Sequence, residues 1–272
     1  IGAMEDDKFA QQIEDIILYS TTTKKEYNDN DSGLISANKK YYTTINDYIS
    51  RTIDGSTNRI LYCTDEISQQ NALKLWIEQG SEVLKAETVI DTQFIPWLET
   101  RKNELKFQRV DSELDASLND QNPTLLDKQG ENDSDKIREI LKEAINNDNV
   151  TIQVQSLKTE DSPPSLILLP EQMRRLNDMG ALMEQKLPGL PEHHILLINT
   201  KHSLVKGLLK INSEKILLSS SGESSSSKLS FDIARYLYDM AKLAVGGLES
   251  NEISEFQTRS SALMGRLMEK AN

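Results

Sequence analysis

Arg59 to Leu84 reads RILYCTDEISQQNALKLWIEQGSEVL, and this stretch decides the fold class. Arg59 to Cys63 is a continuous apolar, β-prone run, the pattern of a buried strand. Ser68 to Gln79 follows with helical period, Ala72, Leu73, Leu75, Trp76 and Ile77 supplying the packing face. Gly80 stands where a helix ends on a left-handed residue. Glu82 to Leu84 is then a second strand. Strand, helix and strand at this spacing predict parallel pairing through a right-handed crossover.

The flanks extend the unit. A helix is expected from Glu5 to Leu18, with Phe9, Ile13, Ile16 and Ile17 on its packing face and acids in its first turn. The polar stretch Ser20 to Asn38 reads as loop with one short helix at most. Thr43 to Ile49 is a capped turn entering a helix, and the Asp54-Gly55 turn precedes the first strand. A further helix covers Asp91 to Glu99, carrying Phe94, Trp97 and Leu98. Residues 4–110 thus form a small parallel α/β subdomain, and residues 1–3 read as the remnant of an expression tag.

Between residues 111 and 135 eight acidic side chains face Lys128 alone, which reads as a solvated linker. Residues 136–272 form a second, α+β domain. Ser134 is the expected N-cap of a helix through Ile137, Ile140, Leu141, Ala144 and Ile145. Val150, Ile152 and Val154 alternate as a half-buried strand, and Leu166 to Leu169 and Ile195 to Ile198 give two more. Asn199 to His202 turn into a helix with Leu204, Val205, Leu208 and Leu209. Ser219 to Ser227 holds seven serines and reads as a flexible loop. Two final helices follow, about 230–245 and 253–270. Their apolar faces are broad, with little domain left to cover them. The expected cover is a second copy of the same pair, a four-helix bundle across a dimer. Phe231, Ala234, Leu237, Tyr238 and Ala241 would there face Phe256, Leu263, Leu267 and Met268.

One stretch carries a different signal. Leu169 to Leu187 reads LPEQMRRLNDMGALMEQKL, and Met173, Leu176, Met179, Met183 and Leu187 recur at helical spacing. Three of the chain's seven methionines lie on that stripe. Methionine is long, unbranched and polarisable, so such a face either fills an irregular core or adapts to varied partners.

The net charge of −12 excludes a general nucleic-acid or anionic-membrane binder, which needs basic patches. One cysteine, Cys63, leaves no internal disulfide, and its apolar neighbours suggest a buried thiol. No apolar run has the length of a membrane span and no signal peptide opens the chain, which reads as cytoplasmic. Catalytic patterns are scarce. No phosphate-binding loop is present, and the turn Thr64-Asp65-Glu66 is acidic where a nucleotide fold needs glycine and backbone donors. His193 and His194 lack further ligands for a zinc set. Neither a serine elbow nor a base beside Cys63 is present. Expected therefore are no catalytic, cofactor or metal residues.

The motifs occur in an order that resembles the ninety-kilodalton heat-shock chaperones, whose bacterial members are called HtpG. Arg59-Ile-Leu-Tyr-Cys-Thr-Asp65, Gly80-Ser-Glu-Val-Leu84, Ile90-Asp91 and Phe107-Gln-Arg-Val110 resemble the small subdomain closing that family's middle domain. Asp161-Ser-Pro-Pro-Ser165, Glu171-Gln-Met-Arg-Arg-Leu176, Ile198-Asn199-Thr-Lys-His202-Ser-Leu-Val205 and Ala241 to Glu249 resemble its C-terminal dimerisation domain. Thr200 departs from the family's usual proline, and the serine tract is longer than expected. The resemblance implies a homodimer that binds partly folded clients through Met173, Leu176, Met179, Met183 and Leu187. It implies an ATPase, with magnesium and ATP, in upstream parts of a parent. The end Glu269-Lys-Ala-Asn272 lacks the acidic tail on which co-chaperones dock. Two alternatives stay open: a structural dimeric adaptor without a client surface, and a small-molecule enzyme with polar groups converging near Asp65 and Asp91.

Overall fold

The computed structural model describes residues 2–23, 41–52, 59–113, 132–157, 162–182, 190–218 and 224–271. The chain divides into two compact units between Val110 and Asp111.

The first unit comprises α1 (Gly2–Glu5), α2 (Asp7–Ile13), β1 (Tyr19–Thr21), β2 (Tyr41–Thr43), α3 (Ile45–Thr52), β3 (Arg59–Cys63), α4 (Gln70–Glu78), β4 (Leu84–Lys85), α5 (Asp91–Arg101) and β5 (Lys106–Arg109). The sheet order is β2-β1-β4-β3-β5. β3 pairs in parallel with β4, Tyr62 opposite Leu84, and with β5, Ile60 opposite Phe107. Helix α4 ends in a Schellman turn: Gly80, at φ 82°, and Ser81 donate back to the Ile77 and Trp76 carbonyls. Ile60, Tyr62, Leu84, Phe94, Leu98 and Phe107 form the core, with Tyr48 from α3. Ala3, expected as tag, is buried against it. Trp76 donates its indole N–H to the Val110 carbonyl at 3.0 Å while the Arg59 guanidinium covers its ring.

The sheet is mixed, not parallel throughout. β1 runs antiparallel to β4, and β2 antiparallel to β1. Hydropathy missed β1 because it is three residues long and buries Tyr19 beside a polar Thr21. The Thr21 hydroxyl donates to Glu82 Oε1 at 2.7 Å, and Arg51 donates to both oxygens of that buried carboxylate. Satisfied in this way, threonine and glutamate can occupy interior positions. The expected first helix is shorter, ending at Ile13 after the Asp6 cap, and Phe9 and Ile16 are exposed.

The second unit comprises α6 (Asp133–Ile145), β6 (Val150–Gln155), β7 (Ser165–Leu168), α7 (Glu171–Leu182), β8 (His194–Asn199), α8 (Ser203–Leu218), α9 (Ser224–Ala244) and α10 (Ser250–Ala271). β8 is central, parallel to β6 and antiparallel to β7, and all six of its residues are buried. Helix α6 is capped by Asn132, whose side chain accepts from the Asp135 N–H at 2.8 Å; Ser134 lies inside the first turn. Most of the expected linker, 114–131, lies outside the described residues. Its first residues pair with the end of β7, Leu169 donating to the Asp111 carbonyl and Glu113 to that of Leu169. Of the serine tract, Ser224 to Ser227 open α9, and 219–223 lie outside the described residues. Thr200 donates its N–H to the Gln155 carbonyl at 2.9 Å, a bond that proline cannot make.

The core of this unit corrects the dimer expectation. Ala234, Leu237, Tyr238 and Ala241 pack with Ile137, Leu141, Leu196, Ile198, Val205 and Leu208 inside a single chain. Leu237 is 1% exposed. The face expected to meet a partner is therefore covered by the chain's own α6, α8 and sheet.

Candidate functional site: two exposed apolar helix faces

The first turns of helix α7 carry a cluster of ion pairs within the helix. Glu171 accepts from Arg174 Nε at 2.7 Å and from Arg175 Nε at 2.8 Å. Burial alone would raise the Glu171 pKa, but the two guanidiniums outweigh it and hold it below the usual carboxylate value. Arg174 is only 4% exposed, so an arginine lies inside at the base of this helix. Leu176, on the methionine stripe, is 61% exposed, and Met173 is half-buried. The side chain of Met179, and Met183 and Leu187 entirely, lie outside the described residues.

Helix α10 lies along α9. Tyr236 and Phe256 stack at 5.6 Å, and Lys242 Nζ meets Glu252 at 2.7 Å. Arg266 approaches Asp232 at 3.4 Å. Asp239 is buried between Arg235, at 3.2 Å, and Arg259 of α10. Burial raises its pKa above the usual value despite both guanidiniums. Phe256, expected to cross to a partner, thus packs α10 onto its own α9, and Leu263 is half-buried.

Outward-facing apolar side chains remain. Phe231 and Met268 are exposed, Met268 at 71%. Ile253 and Met264 join Met268 within about 60° of the α10 circumference, at 100° per residue. Met240 and Leu243 are exposed on α9. Sequence reasoning missed Met240, Leu243, Ile253 and Met264. Their signal was a second stripe on each helix, set apart from the core stripe, that a broad apolar face conceals. The side chain of Leu267 lies outside the described residues.

Other candidate groups are committed elsewhere. Asp65 accepts from the Ile67 N–H and Ser68 hydroxyl, and Asp91 from the Thr88 N–H and hydroxyl, so both carboxylates close turns. His194 contacts the Pro191 carbonyl through one ring nitrogen and the Tyr238 hydroxyl through the other.

Among the described residues, Leu176 on α7 and Ile253, Met264 and Met268 on α10 are thus exposed apolar side chains of an α+β unit with a three-stranded sheet. The family model described as Hsp90 protein matches residues 1–272, and the chain belongs to that family. Similar proteins include the chaperone protein HtpG of Porphyromonas gingivalis, 24% identical over 89% of this chain and 34% of that one. HtpG of Wolbachia pipientis is 27% identical over 82% of this chain and 34% of that one. HtpG of Bacteroides thetaiotaomicron is 24% identical over 76% and 30%. The chain thus spans about a third of the length of these relatives. No helix among the described residues is long and apolar enough to cross a membrane.

Proposed function

We propose that this chain is the dimerising and client-holding part of an Hsp90-type chaperone. The observation that carries the reading is Leu176, 61% exposed on the methionine stripe of α7 two residues beyond a buried Arg174. A large apolar side chain standing in solvent suits capture of exposed apolar segments. The methionines Met173, Met179 and Met183, with Leu187, supply the adaptable remainder of that surface. A second copy covers Ile253, Met264 and Met268 of α10, with Leu263, Leu267 and the outward residues of α9. A stable homodimer of this kind buries roughly 1,200–2,000 Å² in total.

The chain itself is not an enzyme and holds no cofactor. ATP with magnesium binds and is hydrolysed in other segments of a parent protein. Its partners are its own copy and partly folded proteins in the cytoplasm, not nucleic acid or membrane. Isothermal titration with magnesium and ATP is expected to give no heat of binding, and micromolar affinity overturns this assignment. For the client surface, Leu176→Gln is expected to weaken binding of an unfolded model protein and to lower hydrophobic-dye fluorescence. Unchanged binding and fluorescence favour an adaptor without a client face.

A further inference from the structure

Among the described residues, each of the two sheets ends in two edge strands, and these differ. β2 is three residues long, β5 carries Lys106 and Arg109, and the end of β7 is bridged at Leu169 by the chain's own Ser112. β6 is six residues long and reads VTIQVQ, without a charge, a proline or a glycine. It pairs with β8 without a break from Val150 to Gln155, so no bulge interrupts it. Natural sheets protect their edges with short strands, charges, proline or bulges, because an unprotected edge recruits another strand. β6 has none of these devices, and among the described residues no strand lies on its outer side.

One hydrogen bond sets the direction of the backbone groups. Thr200 donates its N–H to the Gln155 carbonyl, and Gln155 stands opposite Asn199, so the N–H and C=O of Gln155 point toward β8. Directions alternate along a strand. Thr151 and Gln153 therefore point toward β8 as well, while Ile152 and Val154 turn their N–H and C=O groups outward. Two donors and two acceptors thus line the outer side at the spacing of one more strand. The side chains of Ile152 and Val154 pack on the core formed with α6. Those of Thr151, Gln153 and Gln155 take the other face, where the side-chain oxygens of both glutamines have no hydrogen-bond partner.

We propose that the outer edge of β6 is a docking site at which an extended segment of another protein adds as a fourth strand. Pairing to Ile152 and Val154 runs through the backbone and tolerates many sequences, while alternate side chains give selectivity. Beside Ile152 and Val154, an apolar side chain continues the core layer. On the other face, serine, threonine, asparagine or glutamine can donate to the glutamine oxygens. The charges next to the strand are acidic: Asp148 precedes it, and Glu113 accepts from the Gln153 amide at 3.3 Å. The complementary segment is therefore neutral along the strand and basic at its ends. A second copy of β6 does not fit this edge, because it brings the same acidic flank. One strand about 20 Å long also buries far less than the roughly 1,200 Å² of a stable dimer. That the segment belongs to a partly folded protein rests on the client reading above, since folded chains keep their strands paired.

The probe is a fluorescein-labelled peptide of alternating valine and threonine with a lysine at each end, titrated against the full chain by anisotropy. Saturable binding is expected, and its absence overturns the proposal. Two further peptides carry N-methyl groups on all valine amides or on all threonine amides. One of these sets faces β6, and that peptide is expected to bind about tenfold more weakly than the other. Equal binding of the two overturns the pairing. Val154→Pro removes an outward donor and spares the β8 ladder, so it is expected to fold and to lose about tenfold in affinity. Undiminished binding by this variant overturns the site; if it does not fold, the methylated peptides decide. In amide exchange, the Ile152 and Val154 N–H groups are expected to gain protection when the peptide is bound, and no gain is a negative result. Leu176→Gln is expected to leave peptide binding unchanged, and a loss there moves the peptide to α7. Failure of the two readings is distinguishable. If the peptide does not bind while Leu176→Gln still weakens an unfolded model protein, the β6 site alone falls. If the peptide binds and Leu176→Gln has no effect on that protein, the α7 surface alone falls.

Discussion

Helices α7 and α9 carry similar sequence signals and meet opposite fates. On α9, Ala234, Leu237, Tyr238 and Ala241 follow the rule that apolar stripes go inside, and they are enclosed by the chain's own sheet and helices. On α7 the rule is inverted at its root: Arg174 is buried and Leu176 is in solvent. A stripe says that a face wants cover and does not say what covers it. For α9 the cover is intramolecular, and for α7 the described residues leave part of the stripe open.

The largest effect should come from breaking α9. Leu237→Asp places an unpaired charge in the core and is expected to abolish cooperative folding of the second unit, read by circular dichroism melts. Leu237→Ala should cost about 2–5 kcal/mol. A Leu237→Asp protein that melts normally would return this face to a partner.

Next is Asp239. Asp239→Asn removes the charge between Arg235 and Arg259 and leaves both guanidiniums without it. A loss near 3 kcal/mol is expected in denaturant unfolding, as for breaking a buried ion pair. A loss below about 1 kcal/mol would show the pair to be effectively a surface one.

Replacing Met264 and Met268 together by Ser tests whether α10 is covered in trans. The dimer dissociation constant, by sedimentation, is expected to rise about tenfold or more, equivalent to about 1.4 kcal/mol. Stability of the separated chain should stay within about 0.5 kcal/mol. An unaltered constant moves the interface off this stripe.

The smallest stability effect is expected at Leu176. Leu176→Gln should shift unfolding by no more than about 0.5 kcal/mol, the ordinary range for a surface substitution. A loss of several kcal/mol would mean that the open face of α7 is core, and the contrast with α9 would disappear.

Particular elements show what was legible beforehand. The strand Arg59–Cys63, the Gly80 helix stop, the helix from Asp91 and the parallel pairing of β3 with β4 were all readable from local pattern. Strand β1 was not, because its buried Thr21 depends on Glu82 and Arg51, distant in sequence. The α6 cap was misplaced by two residues, since Asn132, Asp133 and Ser134 are all competent caps and only geometry separates them. At the candidate sites, Leu176, Phe231 and Met268 are exposed. The core portion of α9 was misassigned.

Family membership and the succession of elements in two α/β-type units were determined by the sequence itself, because periodicity, caps and turn residues act over a few positions. Which side of each amphipathic helix remains free was decided only by tertiary structure. A helix wheel records apolar area but not its distance from a sheet, and the same stripe serves a core or a partner equally well. The sheet centred on β8 settles the matter for α9 by covering Leu237. The His194–Tyr238 pair, 44 positions apart, is likewise a product of packing, since no local pattern brings a histidine to one tyrosine hydroxyl.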